Sequence, residues 1–161
     1  MRFLFCLFAL ALAGCETMAP APNEAATITL ERSLCFGACP DYTVTITDAG
    51  DVTYEGRRFV RVTGVQHAHA DRAAVAHLFG QVRAAHFFDL NERYTAPVTD
   101  LPTYTVTVAM NGRTKRVVDY AGEMAGMPHA VREIEIEIDR VAGTAQWVAG
   151  GEHLEAPLAP R

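Results

Sequence analysis

Positive charge is the first thing this chain is short of: 14 Lys and Arg face 19 Asp and Glu, for a formal net charge of −5. The deficit leaves no basic stripe to neutralise phosphates, so no nucleic-acid partner is expected, and bulk attraction to anionic lipid is removed as well. No apolar run approaches the ~20 residues needed to cross a bilayer core, and the stretch Phe3 to Ala13 falls well short of it. Catalytic shorthand is missing too. There is no serine–histidine nucleophile motif, no phosphate-binding glycine loop and no clustered metal signature, so neither a cofactor nor a metal is expected. Internal repeats and low-complexity domains are absent. Cysteine is scarce, with four in 161 residues, and their placement carries most of what the sequence says about location.

A single charge, Arg2, precedes the apolar run Phe3 to Ala13, which has the length of a signal-peptide core. The run closes with Leu12-Ala13-Gly14-Cys15, which resembles the lipobox of bacterial lipoproteins. That resemblance implies a signal peptide over residues 1–14, diacylation of the Cys15 thiol and cleavage before it. Acyl chains contributing roughly 0.8 kcal/mol per buried CH2 would then hold the protein at a membrane without a spanning segment. Glu16 stands where an Asp would resemble an inner-membrane retention signal, so the expected location is the outer membrane, facing the periplasm. Cys6 leaves with the signal and Cys15 is consumed by lipid. Cys35 and Cys39 remain, and in an oxidising compartment such a pair is most simply a disulfide.

Residues 15–26 contain Pro20 and Pro22 with little apolar bulk and read as an extended tether, reaching about 3 Å per residue. Residues 150–161, with Pro157 and Pro160, read as a disordered tail. Between them, 27–149 is long enough for one domain with its own core. Alternation predicts strands at Thr27 to Arg32, Tyr42 to Thr47, Val52 to Glu55, Arg58 to Thr63, Val65 to His69, Thr103 to Met110 and Arg113 to Tyr120, with a hairpin turn at Asn111-Gly112. Asp71 caps a helix whose Val75, Leu78, Phe79 and Val82 form one stripe. A second helix runs from Pro128 to Gly143 with Val131, Ile134, Ile138 and Val141 on one face. Within it, Glu133 to Asp139 alternates acid with isoleucine, which a strand would also explain; the Pro and Gly punctuation favours helix and leaves Ile136 at the rim. The expected fold is α+β: an antiparallel sheet of five to six strands with two helices on one face and a threonine- and arginine-rich opposite face.

The segment Ser33-Leu34-Cys35-Phe36-Gly37-Ala38-Cys39-Pro40-Asp41-Tyr42 resembles the signature of a bacterial family, domain of unknown function 6438. Thr53-Tyr54-Glu55-Gly56, Tyr94, Thr99-Asp100-Leu101-Pro102-Thr103-Tyr104 and Val118-Asp119-Tyr120 look like that family as well. The resemblance implies membership and brings no activity with it.

Three chemistries compete. In the first, the chain is a non-enzymatic envelope lipoprotein, membrane-bound through its N-terminal lipid, whose domain binds an envelope protein or a cell-wall partner; Phe36, Asp100, Asp119 and Arg61 are the candidate binding residues. Arg57, Arg58, Arg61, Arg113, Lys115 and Arg116 would gather on the polar face for an acidic partner, or simply be solvated there. The second is periplasmic thiol redox or copper handling, since Cys-x-x-x-Cys-Pro resembles the motif of Sco-type copper chaperones; His67 and His69 would help. The third is a hydrolase using Asp100 and Asp119 as a carboxylate pair. The first is the leading expectation, because an address is legible and a catalytic constellation is not.

Overall fold

The computed structural model describes residues 25–148. The expected signal peptide, Cys15 with most of the tether, and the tail at 150–161 lie outside the described residues.

Period-two alternation of Val, Ile and Leu with Thr writes most of the sheet. Strands β1 (Thr27–Arg32), β2 (Asp41–Thr47), β3 (Asp51–Arg58), β4 (Gly64–His69), β5 (Arg93–Thr95), β6 (Tyr104–Met110) and β7 (Arg113–Tyr120) form one sheet in the order β4-β3-β2-β1-β6-β7-β5. Ile28, Leu30, Val44, Ile46, Val52, Tyr54, Val106, Val108 and Val117 point to one face and are fully buried. Thr29, Thr43, Thr45, Thr53 and Thr107 lie on the other, as expected of a sheet wet on one side.

Helix α1 (Arg72–Ala84) begins where the Asp71 carboxylate accepts the Ala74 N–H at 2.9 Å. Its Val75, Leu78, Phe79 and Val82 are buried. Helix α2 (His129–Ala142) follows Pro128 and ends at Gly143, whose φ of 67° is the left-handed conformation glycine adopts freely. The helices pack on each other and α2 lies over β1 and β2, so both cover the same face and share one core. Ile136 sits at the rim, 37% exposed. No helix among the described residues is long and apolar enough to cross a membrane.

Two expectations are corrected. The sheet has seven strands and mixed pairing, because β5 runs parallel to β7 through Tyr94↔Asp119; β5 has a single inward side chain, Tyr94, too little to show a period. Arg58 to Thr63 is not a strand. Phe59 takes a left-handed φ of 54° that ends β3, and Val62 N–H bonds to the Trp147 carbonyl at 2.9 Å instead of to a neighbouring strand.

That bend packs tightly on β3. A Cβ at Gly56 would meet the Val62 carbonyl oxygen at 2.2 Å and Tyr54 Oη at 2.7 Å, and backbone cannot step aside as a flexible side chain can. Gly56→Ala is therefore expected to cost at least ~2 kcal/mol of unfolding free energy in urea; an unchanged midpoint would mean the bend is not held where the structure has it.

Candidate functional site

The register places one row of inward-facing positions across six strands: Gly56, Tyr42, Arg32, Tyr104, Asp119 and Tyr94. The rows beneath it are aliphatic and aromatic. This row is polar, and it lies at the end of the sheet where β1 stops and β6 begins. Helix α2 crosses above it and supplies Arg132, Glu135 and Asp139. Position 32 continues the Ile28, Leu30 alternation and position 135 falls on the helix's core side, so the backbone periods force these charged groups inward.

Burial makes pairing obligatory. Arg32, 4% exposed, forms an ion pair with Asp139, 5% exposed. Asp139 Oδ1 also accepts the Tyr42 hydroxyl at 2.6 Å and the Thr144 hydroxyl at 2.7 Å. Burial works against the Arg32 charge, but Asp139, Tyr42 and Tyr104 together outweigh it and hold the guanidinium protonated; burial, then the Asp139 charge, pushes the Tyr42 hydroxyl up. Arg32 and Arg132 stand over the Tyr104 ring at 4.5 and 5.0 Å from its centroid.

A pair of acids sits beside this cluster. Glu135, 1% exposed, accepts from Arg132 Nη1 at 3.1 Å through Oε2, while Oε1 has no donor. Burial and then the neighbouring Asp119 charge push the Glu135 carboxyl up to about 8, so near neutrality it carries a proton. Asp119 lies within hydrogen-bonding reach of it, and a protonated Glu135 donating to Asp119 removes the orphaned oxygen. Burial raises Asp119 as well, opposed by the Gly122 N–H that donates to it at 2.5 Å. Only glycine permits that approach: a Cβ at Gly122 would stand 2.7 Å from Asp119 Oδ1.

Asp119 and Arg132 open onto a pocket of about 170 Å³ whose walls include Leu101, Pro102, Tyr104 and Met124. A family model described as a domain of unknown function, DUF6438, matches residues 26–142, a stretch that contains every one of these pocket residues. The chain belongs to that family. No curated protein matches this DUF6438 member.

In this DUF6438 domain the residues singled out from sequence separate. Asp119 is at the pocket. Asp100 is not: it is exposed, adopts a left-handed φ of 71° and accepts only the Thr99 hydroxyl at 3.0 Å. The carboxyl that faces Asp119 is Glu135, so the expected Asp100 and Asp119 pair is not brought together. Arg61 is engaged elsewhere, donating to the Gln146 carbonyl. Of the basic residues expected on the polar face, Arg57 is spent on Asp41 and Thr43 at 2.7 and 2.8 Å, and Arg113 stands over the Phe88 ring at 4.7 Å. His67 and His69 lie on edge strand β4 beside Thr53 and Asp51, and among the described residues no three His, Cys, Asp or Glu side chains are grouped as a metal site would require.

Cys35 and Cys39 lie at disulfide distance, with Cα atoms 5.5 Å apart, in the loop joining β1 to β2. The loop is stitched to the start of β6, where Ser33 N–H bonds the Thr103 carbonyl at 3.0 Å and Ser33 Oγ accepts from Thr103 N–H at 3.1 Å. Phe36, 88% exposed, is its tip. So small a ring restricts the unfolded chain little. Cys35→Ser with Cys39→Ser is expected to lower stability by about 2 kcal/mol while the circular dichroism spectrum stays that of the folded domain; loss of the fold would mean that the ring does more than shape a loop.

Arg32, Tyr42, Tyr104, Arg132, Glu135 and Asp139 escaped the sequence reading. A signal for them exists: an arginine where the β1 alternation calls for an aliphatic residue, and two acids on the apolar side of α2.

Proposed function

We propose that this protein is an envelope lipoprotein, tethered by lipid on Cys15, whose domain is a non-enzymatic binding module. One observation carries the reading: four exposed apolar side chains, Phe36, Phe59, Leu101 and Met124, come from four separate loops at the end of the sheet where the pocket opens, and two of them, Leu101 and Met124, line it. Thr27 opens β1 at the other end. A tether entering there leaves the apolar rim pointing away from the leaflet, toward an envelope protein or the cell wall. Exposed apolar side chains at the end of a sheet that also holds a pocket are what a recognition surface offers. Outer-membrane placement, facing the periplasm, follows from Glu16.

The test has two arms. Mass spectrometry of the native N-terminal peptide is expected to find acyl mass on Cys15, lost in Cys15→Ser. A photo-crosslinking residue at Phe36 or Met124 is expected to give a discrete adduct in whole cells, and the same residue at Thr53 on the opposite face none. A native chain beginning at Met1, or equal crosslinking from all three positions, overturns the reading.

The cysteine pair favours a second reading, thiol redox or copper chemistry, since both residues are partly exposed in a loop beside Phe36. Protein purified without reductant that yields free thiols or copper would carry that reading; a fully oxidised, metal-free pair would end it.

A further inference from the structure

The pocket at Asp119 and Arg132 combines opposite charges in a small space, and that combination selects its ligand. We infer that the site binds a zwitterion of amino-acid size, its ammonium on Asp119, its carboxylate on Arg132, and an aliphatic side chain against Leu101, Pro102 and Met124. The inference rests on the domain being a binding module and names the ligand class of its pocket.

Size comes first. About 170 Å³ is below the ~300–1,000 Å³ of pockets for drug-sized ligands and suits a molecule of amino-acid size better than a saccharide chain or a folded peptide segment. Charge decides among small molecules. A plain amine would satisfy Asp119 but lie against the Arg132 guanidinium. A plain carboxylate would satisfy Arg132 but lie against Asp119, with Glu123 also on the pocket wall. Neither Tyr104 nor its surroundings offers a vacant cation seat, because Arg32 and Arg132 already occupy the ring. A molecule carrying both charges avoids both repulsions, which matter most where walls exclude water.

The two side chains also have valence left for a ligand. Arg132 spends Nη1 on Glu135, and its Nε and Nη2 have no partner among the described residues. Asp119 accepts the Gly122 N–H through Oδ1 and the proton of Glu135, and with about four acceptor sites on its two oxygens it can still take an ammonium hydrogen. Both groups are held in place before any ligand arrives: Asp119 by the Gly122 amide, Arg132 by Glu135 and the Tyr104 ring. Preorganised charges of this kind lose little on binding. Leu101 and Met124, 38% and 67% exposed, are the apolar surface the ligand would cover.

The probes are leucine, isoamylamine and isocaproate, which share the aliphatic group and carry both charges, the ammonium alone and the carboxylate alone. Titrated into the full folded chain and followed by amide NMR, leucine is expected to saturate at or below millimolar concentrations, and each single-charge analogue to bind at least about tenfold more weakly. Shifts should centre on Gly122, Met124 and Tyr104. Asp119→Asn and Arg132→Gln should each abolish the preference for leucine; should either unfold, Met124→Ala, at an exposed position, is expected to weaken leucine without altering the ranking. The inference is overturned if leucine fails to saturate at about 10 mM, or if the amine or the carboxylate binds as tightly as leucine. Failure here with crosslinks at Phe36 and Met124 intact would end the zwitterion site and leave the docking surface standing. Leucine binding without those crosslinks would do the reverse.

Discussion

Asp139→Ala is expected to cost the domain about 3–5 kcal/mol, the largest loss from any single side chain in the polar cluster. The carboxylate is the common acceptor for Arg32, Tyr42 and Thr144. Removing it strands a guanidinium that is 4% exposed and leaves two buried hydroxyls to find new acceptors. For a domain of this size the loss corresponds to a fall in Tm of roughly 10–20 °C. The charge itself is not what stabilises; leaving it unpaired is what destabilises. Arg32→Met combined with Asp139→Leu, which removes both charges and refills the space, should recover the part of the loss due to the stranded guanidinium, while Tyr42 and Thr144 still lack their acceptor. A single mutant within about 1 kcal/mol of the parent, measured by urea unfolding, would show that water reaches Arg32 and that the cluster is not sealed.

Stability is also expected to fall as pH rises through the neutral range, and Glu135 sets the slope. Its folded-state carboxyl is raised to about 8 from an ordinary value of 4.5, so between those two values the folded chain holds a proton that the unfolded chain has released. More protons on the folded side means a contribution fully present below about pH 4.5 and lost as pH climbs through 8. Asp119, raised in the same direction, adds to the trend. The expected change across the window is on the order of a few kcal/mol. Glu135→Gln keeps a donor for Asp119 and an acceptor for Arg132, which fixes the pattern of the protonated acid. Its unfolding midpoint should vary much less with pH between 5 and 9 and exceed the parent's at the alkaline end. A parent with level stability over that range, or a variant with the parent's slope, would refute the shared proton.

Much of the scaffold could be read from local pattern, because local physics decided it. Thr alternation at β1, β2 and β6, the Asp71 cap, and Asn111-Gly112 with positive φ at both positions act within a few residues. Ser33 to Tyr42 and the later motifs pointed to the family that the chain joins. The failures lie where distant segments decide. The bend after β3 is held by a bond from Val62 to Trp147, far along the chain, and three-residue β5 exists only because β7 is there to pair with it. Asp119 was legible as a polar strand end, but its partner was mistaken for Asp100, another acid beside a strand. Glu135 meets Asp119 only because α2 crosses the polar row. The acid and isoleucine alternation from Glu133 to Asp139, which looked like ambiguity between helix and strand, turns out to carry information: Glu135 and Asp139 face the core.

The stretch that defines the family stops at residue 142, yet the architecture does not. Thr144 supplies a hydroxyl to Asp139, Trp147 stacks on Tyr54 with centroids 4.8 Å apart, and its carbonyl pins the bend after β3. Six residues past the matched boundary thus act as a clasp over one end of the molecule. A recombinant fragment trimmed to the homologous segment would open that clasp, whereas one carried through Val148 keeps it shut.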